Sequence, residues 1–282
     1  MGVIISVVNN KGGVGKTIVT CNLADALGRK GKRVLVVDMD SQCNSTSLLI
    51  PKGTIRNSIY ELLDPDEAEE PLSNYIYPTQ YGNVACIPNV PETASLEPKL
   101  ILKAPDSFLH LRKRIREYTE QRYDFTIIDN PPNMGTFVIC SMYASDFVIV
   151  PIKAGSAFSV EGLLKAVQVI NDIRNGGNPD LKFLRLLINS IDKRTIISRT
   201  IVDQIWTAFR DNQIFKTTIP VNTAFERAES DSQTIFQYEP TSTGARAFRD
   251  LAKELLDIFA NLQNNRSTAR RRSDEEKAKY AF

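Results

Sequence analysis

Short β-branched runs along the chain alternate with longer stretches in which apolar residues recur at every third or fourth position. This is the pattern of buried strands interleaved with amphipathic helices. Strands are predicted at Val3–Val8, Arg33–Asp38, Val84–Pro88, Phe125–Asp129, Phe147–Pro151, Phe183–Asn189 and Ile214–Ile219. Helices are predicted from about Lys16 and at Leu109–Gln121, Val160–Arg174, Ile197–Phe209 and Ala245–Leu262. The last carries Phe248, Leu251, Leu255, Phe259 and Leu262 along one face. Such alternation predicts an α/β fold, a mostly parallel twisted sheet with helices on both faces. No internal repeat or long Gly/Ser linker interrupts it, so residues 1–263 read as a single domain. From Asn264 the apolar period stops, and 264–282 reads as a charged, flexible tail.

Composition adds exclusions. At 282 residues, 42% hydrophobic and 24% charged, the chain has ordinary globular composition and can bury a sizeable core. Its first apolar run, Val3 to Val8, leads straight into a glycine-rich loop and is too short for a signal peptide or a membrane span, so a cytoplasmic location is expected. Cys21, Cys43, Cys86 and Cys140 lie far apart without a C-x-x-C pair, which reads as buried reduced thiols. With His110 as the single histidine, a His-based zinc site or a Ser-His-Asp triad is poorly supplied. Net charge is +2, and 264–282 holds six Lys/Arg against three Asp/Glu, which leaves the body at −1. A nucleic-acid surface must therefore be local or assembled from two chains. Glu61–Glu70, with six acidic residues and no basic one, reads as a solvated loop or helix end.

The strongest chemical signal is Asn9-Asn10-Lys11-Gly12-Gly13-Val14-Gly15-Lys16-Thr17, between the first strand and the first helix. The phosphate-loop pattern G-x-x-x-x-G-K-[ST] asks for glycine where Asn10 stands, so this is a variant. Its physics is intact: Gly12, Gly13 and Gly15 let backbone N–H groups converge on phosphate oxygens, and the helix start adds its positive end. Lys16 supplies a charge and Thr17 a hydroxyl for magnesium.

Lys11 to Thr17 resembles the deviant Walker A motif of the ParA/MinD superfamily. Val34 to Thr46 is similar to the ParA segment D-x-D-P-Q-x-N-x-T, with Ser41 in place of proline. Phe125 to Pro132 resembles the family's Walker B strand, with Asn130 where a smaller residue is commoner. Ile149–Ile152, Thr218–Pro220 and Tyr238–Ala245 extend the resemblance over about residues 1–262. It implies a P-loop ATPase that takes ATP and Mg2+, with Gly12, Gly13, Val14, Gly15, Lys16, Thr17 and Ile18 on the nucleotide. It implies further that Lys11 reaches across an ATP-dependent homodimer to the partner's phosphates. Thr17, Asp38 and Asp129 are then the magnesium-side groups, with Asp38 and Asp40 serving hydrolysis and Asp40 positioning the attacking water. Asn189 and Pro220 are the adenine candidates.

Other members of the superfamily fit less well. Cys86 and Cys140 lack the glycine-rich setting of the iron–sulfur relatives, and 264–282 has no apolar face for a membrane helix. Tyr280 alone does not make the tyrosine cluster of the kinase relatives. The resemblance therefore implies a ParA-type positioning ATPase, nucleoid-associated and not bound to membrane. It would bind nonspecific DNA through Lys193, Arg194, Arg199, Arg227, Arg246 and Arg249, and be released by hydrolysis that a ParB-like adaptor stimulates. The family's arginine after Ile-Pro is Val221 here, while Arg270–Arg272 could add charge. No room is expected before the first strand for a helix-turn-helix domain. The cargo would be a plasmid, a chromosome or a protein assembly. The competing class is a metabolic or metal-cofactor maturation ATPase of the same fold without DNA binding.

Overall fold

The computed structural model describes residues 2–51, 53, 55–67, 69–153, 159–192 and 194–279, with backbone alone for 159–166, 197 and 266–279. Among the described residues seven strands form one sheet in the order β3-β4-β2-β5-β1-β6-β7. They are β1 (Val3–Val7), β2 (Val34–Asp38), β3 (Tyr77–Pro78), β4 (Val84–Ile87), β5 (Phe125–Asp129), β6 (Phe147–Lys153) and β7 (Lys182–Asn189). Every pairing is parallel except the short β3–β4 pair. The central strands are apolar on both faces because both are covered.

On one face lie α1 (Lys16–Gly28), α10 (Ile235–Tyr238) and α11 (Thr243–Lys279), packed on Ile5, Val7, Val34, Val36, Ile127 and Ile149. The other carries α3 (Ile59–Leu63), α4 (Glu97–Leu102), α5 (His110–Arg122), α6 (Thr136–Ala144), α7 (Ser159–Gly176) and α8 (Ile196–Ala208). Two further short helices, α2 (Asn44–Leu49) and α9 (Thr223–Ser230), flank the C-terminal ends of the strands. The predicted periodicity of α11 is realised by Phe248, Leu251, Leu255 and Phe259, each at most 7% exposed, whereas Leu262, predicted on the same face, is 37% exposed.

Two expectations differ from the structure. Ile214–Ile219 forms no strand; it follows β7 through isolated bridges, Leu186 to Ile214 and Ile191 to Pro220. Phe215 and Ile219 donate to Leu186 O and Ile188 O of β7 (2.9 Å each), but the Thr217 N–H between them goes to the Glu254 carboxylate of α11 (2.9 Å), which also accepts from Lys216 N–H (2.8 Å), so the ladder is interrupted. In addition, the helix of α11 continues through 264–279, where a frayed extension is predicted. Arg, Ala, Glu and Lys dominate that stretch, and their intrinsic helix propensity needs no apolar period. The short helices α2, α3 and α9 and the all-round buried α6 carry no amphipathic period long enough to predict.

Candidate functional site

β1 lies between β5 and β6, and the chain leaves it across the carboxyl edge of the sheet, where open α/β sheets bind ligands. The loop from Val8 to Gly15 then turns into α1 with Gly15 as N-cap at φ 84°, ψ 33°. A side chain on Gly15 would be strained by that φ and blocked as well, since its Cβ would lie 2.3 Å from Asn189 Nδ2. Above the loop is a groove of about 450 Å3 lined by Gly12, Gly13, Gly15, Lys16, Thr17 and Ile18. Val14 is buried beneath, its carbonyl accepting from Asn189 Nδ2 at 2.7 Å. Lys16 is 6% exposed and its ammonium donates to the Lys11 carbonyl at 3.3 Å. Burial lowers its pKa, while Asp129 and Asp40 favour the charged form. The Lys11 side chain is exposed and does not line this groove.

Beneath the loop, β2 and β5 end side by side with Asp38 opposite Asp129. Asp129, fully buried, accepts hydroxyl hydrogen bonds from Thr17 (2.8 Å), Ser45 (2.6 Å) and Thr20 (3.4 Å). Asp38, also fully buried, accepts from the N–H (2.8 Å) and hydroxyl (2.7 Å) of Thr46 and from the Asp40 N–H (3.1 Å). Burial pushes both carboxyls up from the ordinary range, and at Asp38 the charge of Asp129 adds to it. Such a pair is suited to a nearby divalent cation, and Thr17 is poised between it and the groove. Among the described residues no three His, Cys, Asp or Glu side chains close round a metal position. The residues present fit magnesium: the Thr17 hydroxyl, which lines the groove and donates to Asp129, would hold the ion, with the Asp129 and Asp38 carboxylates behind it. Asp40 lines the groove, whereas Asp38 does not; its oxygens anchor the start of α2. Ser45 and Thr20 are participants that sequence reasoning did not single out, and Thr46, matched there only as the end of the aspartate segment, holds Asp38.

The far end of the groove is formed by Asn189, Ser190, Val221, Asn222 and, on α9, Phe225, Glu226 and Glu229. Pro220 is not there. Its neighbours bond to both sides of Ile191 (Ile191 N–H to Ile219 O and Val221 N–H to Ile191 O, each 3.0 Å), and Pro220 lines an adjoining groove.

That second groove, about 710 Å3, gathers Arg194, Lys216 and Arg246 with Asp192, Asp250 and the threonines Thr217, Thr218 and Thr243. Arg194 is clamped by Asp192, Nε to Oδ1 at 2.9 Å and Nη2 to Oδ2 at 3.0 Å, with its side chain 88% exposed. Arg199 is exposed one turn along α8 and donates to the Arg194 carbonyl at 3.5 Å. Arg227 is exposed on α9. Arg249 is engaged within the fold, donating to Pro240 O at 2.6 Å and lying over the Phe236 ring. Lys193 lies outside the described residues.

The acidic stretch is also tied inward. Asp64 and Asp66 pair with Lys99, Asp66 with Lys103, and Glu69 with Arg114. All four cysteines are buried free thiols, and burial pushes each pKa up. No helix among the described residues is long and apolar enough to cross a membrane.

A family model described as an AAA domain matches residues 2–183. The sporulation initiation inhibitor protein Soj of Bacillus subtilis is 36% identical over 257 residues, covering 90% of this chain and 98% of that protein. The chromosome-partitioning ATPase Soj of Thermus thermophilus is 34% identical, covering 89% and 94%. Among solved structures, cobyrinic acid a,c-diamide synthase of Mycobacterium smegmatis with a bound ATP analogue and magnesium superposes with TM-score 0.77 at 28% identity, over 92% of this chain and 96% of that one. The septum site-determining protein MinD of Pyrococcus horikoshii, complexed with Mg-ADP, gives 0.71 at 26%, over 90% and 96%.

Proposed function

As the chain belongs to the ParA/MinD family of P-loop ATPases, we propose that it is a ParA-type positioning ATPase whose nucleotide state governs its hold on DNA. ATP sits in the groove over the phosphate loop, its phosphates met by the N–H groups of Gly12–Gly15, the start of α1 and the Lys16 ammonium. Thr17 would hold the magnesium ion, which would supply neutralisation of phosphate charge there, while the buried Asp129 carboxylate fixes the Thr17 hydroxyl from behind. Asp40, the acidic side chain of the phosphate end of that groove, orients the attacking water. Lys11, exposed and outside its own groove, serves the nucleotide of a second copy, so that two chains close face to face over two nucleotides.

In that dimer the groove of Arg194, Lys216 and Arg246 holds duplex phosphates without reading bases. One such patch touches few phosphates, whereas two on a rigid dimer make the second contact intramolecular and gain avidity. Hydrolysis, stimulated by a ParB-like adaptor, dissolves the dimer and releases the DNA, which moves or positions a plasmid, chromosome or protein cargo on the nucleoid. The observation that carries this reading is the adjacency of the grooves: Val221 lines both.

Fluorescence anisotropy of a random duplex, with ATP, with ADP and without nucleotide, tests it. Tight, salt-sensitive binding confined to ATP is expected, and equal affinity in all three states refutes it. The likeness to cobyrinic acid a,c-diamide synthase favours a metabolic ATPase as the rival, and for that class no nucleotide state binds DNA.

A further inference from the structure

We propose that Lys153 is a further phosphate-contacting residue of the nucleotide groove, a second ammonium standing beside the loop that carries Lys16. The inference rests on the reading of that groove as an ATP site, and it follows from the register of β6. Successive side chains of a strand alternate between faces. Phe147 and Ile149 pack in the core shared with α1 and α11, while Val148, Val150 and Ile152 pack in the cluster on the opposite face. Lys153, next in the series, falls on the α1 face.

Its register partner on β7 is Asn189, and paired residues of parallel strands share a face. The side chain of Asn189 marks that face directly: Nδ2 reaches Val14 O at 2.7 Å and would collide with a Cβ on Gly15. The end of β6 is also fixed against the start of the loop, since Pro151 O accepts from Asn9 Nδ2 at 2.7 Å. Lys153 is exposed and lines the groove together with Gly12, Gly13 and Lys16.

The charges of the groove give this position its function. Among its described lining residues the cations are Lys16 and Lys153, facing Asp40, Glu226 and Glu229. Lys16 is buried at the helix start, whereas Lys153 reaches the site from the solvent side. A polyphosphate in the groove meets both, and the solvent-side contact is the one that salt screens.

Calorimetric titration of the full chain with Mg-ATP and with Mg-ADP at two salt concentrations tests this. Lys153→Gln should weaken both nucleotides about two- to fivefold, as expected for one solvent-exposed ionic contact. It should also reduce the salt dependence of binding, and Lys153→Arg should recover most of the affinity. Unchanged affinity and salt slope in Lys153→Gln would overturn the assignment, as would Lys153→Arg binding no better than Lys153→Gln. The ATP reading itself stands or falls separately, on whether the wild-type chain binds ATP and Lys16→Ala abolishes that binding.

Discussion

Gly15→Ala should be among the costliest single-methyl additions in the protein, for two separable reasons. At φ 84° a β-carbon is strained, which costs roughly 1–2 kcal/mol in the left-handed region. The same carbon would lie 2.3 Å from Asn189 Nδ2, so the amide must withdraw from Val14 O. Asn189 is only 3% exposed, and a buried polar group left without its partner costs about 1–3 kcal/mol more. A total of roughly 2–5 kcal/mol follows, a large part of the stability of an ordinary domain. Gly12→Ala is the control, because its Cβ would meet nothing closer than Pro132 at 3.8 Å and its φ is not positive.

Since the second component needs the Asn189 side chain, it disappears in an Asn189→Ala background. Only the backbone strain, about 1–2 kcal/mol, should then remain for Gly15→Ala. Urea unfolding of wild type, both single variants and the double variant, without nucleotide, closes the cycle. The double variant should be more stable than the sum of the single effects predicts by more than about 1 kcal/mol. Additivity within about 0.5 kcal/mol would show that the collision does not set the cost, and the account of Gly15 would be wrong.

Lys16→Ala should lose ATP affinity outright, whereas Lys11→Ala should bind ATP and fail in ATP-dependent dimerisation or turnover; size-exclusion with ATP that finds Lys11→Ala dimerising and hydrolysing normally would refute the cross-dimer role. Asp40→Ala should bind ATP and dimerise but release phosphate far more slowly, and normal turnover would remove Asp40 from the water-positioning role. Replacing Arg194 and Arg199 by Glu should abolish DNA binding with dimerisation intact, while deleting 264–282 should weaken binding only modestly; loss of binding on the deletion alone would move the contact to Arg270–Arg272. Asp129→Asn should stabilise the nucleotide-free protein at pH 7. Burial raises the native carboxyl to about 6, so between the ordinary carboxylate range and that value the native state binds more protons than the unfolded one, and stability falls as pH rises. Asn removes that slope, and because the partners of Asp129 are all hydroxyls, which can turn to accept, little bonding is lost. A stability–pH profile as steep as wild type would contradict this.

How much of this was legible in the sequence follows the kind of constraint involved. The phosphate loop was, because its backbone geometry demands glycine, lysine and threonine in contiguous order between a strand and a helix, and Gly15 carries the positive φ that order implies. Asp38 and Asp129 were legible too, as carboxylates closing apolar strands, and the register brings them opposite one another. What was hidden depends on contacts between distant segments. Glu254, far along α11, takes the Thr217 N–H out of the ladder with β7 and so interrupts a strand whose own residues favour one. The direction of Pro220 is decided by how its neighbours bond to Ile191, not by the Ile-Pro pair. Arg249 and Arg246 lie one turn apart on the same helix, yet one is spent on Phe236 and the Pro240 carbonyl while the other lines the second groove with Arg194 and Lys216. Lys153 is the sharpest case: as the last residue of an apolar strand it carries no motif, and only its pairing with Asn189 puts it on the face of the sheet where the phosphate loop lies. Chemistry written in one contiguous stretch can be read before folding; chemistry assembled by register needs the neighbouring strand.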